Sequence, residues 1–87
     1  MHVSLQEISR IFDQLVTQKI SREEASTWAL EREKANDDHE LEFDPPIEKK
    51  RIWEALKYLT GVDLLDLSGE YLHSLQNFID FRNKLKI

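Results

Sequence analysis

Two helix-start motifs lie close together near the beginning of the chain, and they restrict the fold more than any other feature. Both have the spacing of a capping box: Ser4 is followed by Glu7, and Ser21 by Glu24. In a capping box the serine hydroxyl accepts a hydrogen bond from a backbone N–H in the first helical turn, and the glutamate carboxylate accepts one from the serine N–H. The first helix fills most of the interval between them. The short turn that remains allows only an αα-hairpin or a helix-turn-helix.

Apolar residues recur at helical spacing along most of the chain, and no run alternates as a strand would. Asp44, with Pro45 after it, is a suitable cap for the third helix, and Val62–His73 is predicted to be a packed loop. We therefore predict an all-α single domain over residues 1–87, a four-helix bundle-like arrangement with an acidic loop between helices 2 and 3. The predicted bounds are Leu5 to about Gln18, Ser21 to about Ala35, Pro46 to Thr60, and Ser74 to the end of the chain.

The acidic loop holds the largest concentration of charge. It has no Lys or Arg residue but contains five of the chain's seventeen acidic residues. Without these five, the number of acidic residues would equal the number of basic ones, which is twelve. The acidic positions are Asp37, Asp38, Glu40, Glu42 and Asp44. Leu41 and Phe43 alternate with them, which predicts exposed apolar groups framed by carboxylates. Asp63 and Asp66 would form a second acidic edge if the fold brings their loop alongside. The competing interpretation is a polar connector without a binding role.

Several kinds of chemistry are excluded by what the chain lacks. It has no cysteine, no glycine-rich phosphate loop, and three histidines at unrelated spacings, so we expect no enzyme activity, no cofactor and no metal site. The acidic loop lacks the glycine of a calcium-binding loop. The first residues do not have the charged and apolar regions of a signal peptide, and no apolar run could span a membrane. We expect a cytoplasmic protein without a membrane partner.

A helix-turn-helix would suit a DNA-binding regulator, but charge opposes this interpretation. The net charge is −5, and helix 2 mixes acidic with basic residues. The run Lys49, Lys50 and Arg51 is short, so we predict a solvated helix face there rather than a phosphate site. We therefore expect no nucleic acid partner. DNA binding stays open as an alternative, as does a homo-oligomer whose interface is the apolar loop from Val62 to Leu72.

Three segments together resemble a family of small, uncharacterised bacterial proteins: ISREEASTWALEREKANDD, WEALKYLTGVDL and GEYLHSLQNFIDF. Members of that kind resemble the immunity proteins of polymorphic and contact-dependent growth inhibition toxin systems. The resemblance implies a protein that neutralises a cognate toxin in a one-to-one complex and is monomeric when free. It assigns no contact residue.

An acidic immunity protein would suit a nuclease-like toxin with a basic surface, because opposite charges speed association. On charge and exposure we predict that the partner-binding residues are Asp37, Asp38, Glu40, Leu41, Glu42, Phe43 and Asp44, with Asp63 and Asp66 as the second edge.

Overall fold

Four α-helices and two very short strands make up the molecule. The computed structural model describes residues 1–87. The elements are β1 (His2–Ser4), α1 (Leu5–Val16), α2 (Arg22–Asp37), β2 (Glu42–Asp44), a 3₁₀ turn (Pro46–Glu48), α3 (Lys49–Leu59) and α4 (Leu75–Leu85). The predicted helical class and the number of helices are confirmed. No helix combines the length and the apolar character needed to cross a membrane.

Helix starts follow the predicted serines. The Ser21 hydroxyl accepts from the Glu24 N–H at 3.0 Å, and the Glu24 carboxylate accepts from the Ser21 N–H at 3.2 Å, which completes the capping box of α2. Ser74 forms the same pair of bonds with Asn77 at the start of α4. At α1 the Ser4 hydroxyl accepts from the Glu7 N–H at 3.0 Å. The capping signals therefore locate three of the four helices.

A parallel two-stranded sheet joins the beginning of the chain to the acidic loop. β1 pairs with β2 in the register His2 with Glu42, Val3 with Phe43 and Ser4 with Asp44. Val3 is fully buried between this sheet and the helices. The purely all-α prediction is corrected here. Strands of three residues are too short to show alternation, and each depends on a partner far along the chain.

The core lies where α1 packs on α4 and where α3 packs on α1 and α2. Its largest fully buried side chains include Phe12 and Phe78. Tyr58 stacks on Phe81 with 3.8 Å between ring centroids and 8° between ring planes, and burial raises the pKa of its hydroxyl. Both tryptophans, Trp28 and Trp53, are half-buried and pack against the core from its edge.

The entry to α3 differs from the prediction. The Asp44 side chain forms no capping hydrogen bond; Pro46 begins a 3₁₀ turn instead, and α3 begins at Lys49. Ile47 lies on this turn and is 89% exposed. The turn ends the strand β2 and redirects the chain, so the helical spacing of the core residues starts only after it.

Candidate nucleic-acid interface

Basic residues are distributed unevenly among the helices. α3 carries four basic side chains (Lys49, Lys50, Arg51 and Lys57) and one acidic side chain (Glu54). α2 carries five acidic side chains and three basic ones. The last turn of α4 adds Arg82 and Lys84, and Lys86 follows it. Positive charge is therefore concentrated on α3 and at the end of α4, although the whole chain is acidic.

One face of α3 alternates lysine with aromatic surface. Lys49, Trp53 and Lys57 follow each other at helical spacing, and Phe43 of β2 lies beside them. The Lys49 ammonium is 5.4 Å from the centroid of the Phe43 ring, and the Lys57 ammonium is 5.9 Å from that of Trp53. Phe43 and Trp53 meet edge to face at 6.5 Å. We call these four residues the α3 stripe.

The first turn of α3 is fastened to the end of α4. One guanidinium nitrogen of Arg51 donates to the carbonyl oxygen of Lys86 at 2.8 Å, and another donates to the Glu48 carboxylate at 2.7 Å. The lysines around this junction are exposed, and none takes part in an ion pair. We call this group the basic end; it consists of Lys49, Lys50, Lys84 and Lys86.

Most of the arginines are used inside the fold instead. Arg32 lies over the Trp28 ring at 3.9 Å, its side chain is only 15% exposed, and its burial lowers the pKa of the guanidinium. Arg82 donates to the Asp13 carboxylate and, at 2.8 Å, to the Ser9 hydroxyl. Arg82 thereby connects α4 to α1, whereas Arg32 stays within α2, and neither guanidinium is free for an external ligand. The lysines are available.

The outward face of α2 is acidic. A shallow cleft of about 390 Å³ on this face is lined by Glu23, Glu24, Thr27, Trp28 and Glu31. Further along α2, burial raises the pKa of Glu33, with Lys57 of α3 opposing that shift and Asp37 adding to it. In a helix-turn-helix formed by α1 and α2, this face would meet DNA phosphates with carboxylates.

The predicted acidic contact surface is built differently from the prediction. Asp37 ends α2 and Asp38 follows as its cap residue, while Glu42 and Asp44 belong to β2. The Glu40 carbonyl oxygen accepts from the Met1 amino nitrogen at 2.7 Å. These carboxylates are exposed, but the segment that carries them is fixed by pairing with β1, so it is a structural element as well as a connector.

The apolar positions of the acidic loop are not free. Leu41 and Phe43 are half-buried and pack against the core, so they are less exposed than predicted, and their role as partner-binding anchors stays a prediction. Their burial stabilises the sheet against the helices.

Asp63 and Asp66 do not extend the acidic surface either. Their loop is bound to the start of α2 through Arg22, whereas Asp37 and Asp38 lie at its end, and sixteen helical residues span about 24 Å. The second acidic edge was predicted on the condition that this loop lies alongside the acidic loop, and the fold does not meet that condition.

Two features of the candidate site could not be located from the sequence. Nothing in the sequence near Lys84 and Lys86 indicates that they lie beside α3. The exposed part of Trp53 could not be foreseen either, because a helical spacing cannot distinguish a buried position from one at the core edge. No group of three or more histidine or carboxylate side chains lies close enough together to hold a metal ion.

Comparison with known proteins points to a different family from the one that the sequence segments resemble. The sequence profile of the family described as YxzC DNA-binding protein matches residues 3–84. The chain is 39% identical over 61 residues to the uncharacterized protein YxzC of Bacillus subtilis (strain 168). That match covers 70% of this chain and 44% of the relative, so the chain spans less than half of the relative's length. No solved structure matches the chain.

These matches overturn the resemblance to toxin immunity proteins, because neither of them points to such a family. They also contradict the expected toxin partner and the expected absence of a nucleic acid partner, because the matching family is described as DNA-binding. The profile covers nearly all of the chain, including every helix apart from the last residue of α4. The chain belongs to the YxzC DNA-binding protein family.

Proposed function

We propose that this chain binds DNA through α3 and the basic end, without catalysing a reaction. The observation that carries the proposal is the hydrogen bond from Arg51 to the Lys86 carbonyl, which brings the end of α4, with the exposed Lys84 and Lys86, next to the first turn of α3, with the exposed Lys49 and Lys50. The description of the family supports the same activity. This corrects the charge argument from the sequence, because a net charge is a sum, whereas a phosphate responds to the nearest side chains.

The choice of α3 over α2 follows from the charges of the two helices. A recognition helix needs an exposed face without carboxylates beside its basic groups. On α2, Lys34 shares its helix with five acidic residues. On α3, four basic residues stand against the single acidic residue Glu54, which follows Lys50 by one helical turn. We infer that the α1–α2 hairpin supports the fold and that α3 approaches the DNA.

Lysine ammonium groups are point charges, so the basic end would contact phosphate oxygens rather than read base edges. Such contacts release counterions and weaken steeply as salt concentration rises. Carboxylates elsewhere would be kept away from the duplex by repulsion, which orients the molecule with α3 toward the DNA. The half-buried Trp53 lies between the lysines of the α3 stripe, where contact with DNA would change its environment.

The experiment is a fluorescence-anisotropy titration of labelled duplex DNA at several salt concentrations. The wild type is compared with the double variant Lys49→Gln/Lys50→Gln and with the matched variant Lys34→Gln, which removes an exposed lysine from α2. We expect the double variant to bind DNA about tenfold more weakly at low salt. The slope of the logarithm of the binding constant against the logarithm of the salt concentration should also become shallower by about 2, because each lost phosphate contact removes about 1. Lys34→Gln should bind as the wild type does.

Absence of salt-dependent binding by the wild type would overturn the proposal. If Lys34→Gln loses more DNA affinity than the double variant does, the DNA interface lies on α2 instead. All three substituted lysines are exposed, so circular dichroism should be unchanged and a folding defect would be visible separately.

A further inference from the structure

The two tryptophans differ in what covers their rings. Trp28 on α2 is capped by Arg32, whose guanidinium lies 3.9 Å from the ring centroid and donates to the Trp28 carbonyl oxygen at 3.0 Å. Trp53 on α3 has the Lys57 ammonium at 5.9 Å, close to the outer limit of about 6 Å for a cation–π contact. Lys57 is exposed and its stem is flexible, so a ligand would displace it at little cost. The exposed part of the Trp53 ring is therefore accessible.

Phe43 of β2 extends the aromatic surface of Trp53. The two rings meet edge to face with their centroids 6.5 Å apart, and the Lys49 ammonium stands 5.4 Å from the Phe43 centroid. Both rings are half-buried and pack against the core, which holds them in place. A ligand would therefore meet them without the entropy cost of ordering free side chains.

Along α3 the order of groups is lysine, aromatic ring, lysine. Lys49, Trp53 and Lys57 are four residues apart from one another, so they follow one side of the helix at intervals of about 6 Å. Proteins that bind single-stranded nucleic acids combine positive charge along the backbone with aromatic rings on which the bases stack. The α3 stripe has both of these parts.

Four acidic side chains lie near the stripe: Glu33, Glu42, Asp44 and Glu54. Successive side chains of a strand point to opposite faces, so Glu42 and Asp44 point away from the Phe43 ring. Glu54 is exposed and lies about 100° around α3 from Trp53. These carboxylates weaken the attraction for phosphates, so the lysines alone would make a weak site. Contact with the bases would have to supply much of the affinity.

Base pairing decides which form of DNA can use the aromatic surface. In a duplex each base is covered on both faces by its neighbours, so a ring reaches a base only by unstacking the helix. In a single strand the bases are free to stack on an aromatic ring, whatever their identity. We propose that the α3 stripe binds single-stranded DNA, with a base stacked on Trp53 and the flanking phosphates on Lys49 and Lys57. The inference rests on the proposed function and specifies the form of DNA that the site prefers.

The phosphate contacts and the stacking respond differently to salt. Each phosphate contact adds about 0.9 to the salt slope for duplex DNA and about 0.7 for a single strand, whereas stacking releases no counterions. The single strand should therefore bind about tenfold more tightly than the duplex at about 200 mM salt, the effect of one stacked base. Its advantage should be smaller at about 50 mM salt, where the phosphate contacts of the duplex are stronger.

The test is a fluorescence-anisotropy titration of the full chain with three labelled ligands of about 12 nucleotides, within the site sizes of single-strand-binding domains. The ligands are a mixed-sequence single strand, the duplex of the same sequence, and a strand of abasic sites that keeps the phosphates but has no bases. The abasic strand should bind about tenfold more weakly than the mixed-sequence strand. This comparison leaves the protein unaltered, so no folding defect can affect it.

Protein variants locate the contact. Trp53→Leu removes the ring and should lower the affinity for the single strand about tenfold, with a much smaller effect on the duplex. Trp28→Leu is the matched control: it removes the other half-buried tryptophan, which lies on α2 under Arg32, and should leave both affinities unchanged. In the Trp28→Phe variant Trp53 is the only tryptophan, and the mixed-sequence strand should quench its fluorescence much more than the abasic strand does.

Equal affinities for the mixed-sequence and abasic strands would overturn the inference, as would an unchanged Trp53 fluorescence when the single strand is saturating. Salt-dependent binding of the duplex without any preference for the single strand would also overturn it, while leaving the proposed function intact. If neither form of DNA binds, the proposed function fails and this inference fails with it.

Discussion

Arg51 donates a hydrogen bond to the carbonyl oxygen of Lys86 and thereby fixes the end of α4 against the first turn of α3. The same guanidinium is paired with Glu48 across 2.7 Å. Two basic segments that are far apart in the sequence become one surface through this contact. The candidate DNA interface depends on the position of Arg51 as much as on the lysines that would meet the phosphates.

Replacing Arg51 by methionine keeps most of the aliphatic stem and removes both hydrogen bonds. We expect Arg51→Met to lower the free energy of unfolding by about 1 kcal/mol, the typical net value of such bonds at a partly exposed site. Urea denaturation measures this change. Arg10→Met on the exposed face of α1, where no ion pair forms, is the control and should cost less than about 0.5 kcal/mol. Equal losses would mean that the Lys86 contact does not secure the junction.

The sheet can be tested at its buried residue. Val3 is fully buried and pairs with Phe43, so Val3→Ala removes two methyl groups from the core side of β1. At about 0.8 kcal/mol for each buried methylene-sized group, the expected loss is about 1.6 kcal/mol in unfolding free energy. His2→Ala, at the exposed neighbouring position, should change stability much less. A Val3 variant as stable as the wild type would be incompatible with the β1–β2 arrangement.

The capping box of α2 should contribute measurable stability. Ser21→Ala removes the acceptor of the Glu24 N–H and should destabilise the protein by about 1 kcal/mol. For a domain of this size that corresponds to a fall in Tm of about 4–8 °C. Thr27→Ala, at an exposed position inside the same helix, serves as the control for helix propensity and should not lower Tm. Similar behaviour of the two variants would contradict a specific role of the cap.

The free energy of unfolding should depend on pH through the ionisation of Glu33. Burial raises its pKa, so the folded state holds this proton more tightly than the unfolded chain does. Its favourable contribution is complete below the ordinary glutamate pKa and is lost as pH rises through the higher folded-state pKa. Glu33→Gln should therefore gain stability relative to the wild type between acidic and neutral pH, as thermal unfolding at a series of pH values can measure. Glu54→Gln, exposed on α3, is the control for net charge, and the same profile in both variants would contradict the burial argument.

The helix starts could be predicted because their determinants are local. Ser21 and Ser74 each contact a residue three positions further on, so the chemistry that begins α2 and α4 is contained in four consecutive residues. The same local reasoning failed at Asp44. There the backbone is engaged in the sheet with β1, and the distant partner Ser4 overrides the expected cap.

The sequence by itself determined that the chain is helical, where three helices begin, and that its overall charge is negative. Only the tertiary structure decided which charged side chains are exposed to an external ligand. Arg82 is engaged by side chains of α1, and Arg32 is half-buried over Trp28 of its own helix. The lysines of α3 and α4 stay exposed, and the Arg51–Lys86 contact brings the ends of these helices together. The physical reason is distance: capping and helical spacing act over a few residues, whereas a binding surface is formed by side chains that meet only when the chain has folded.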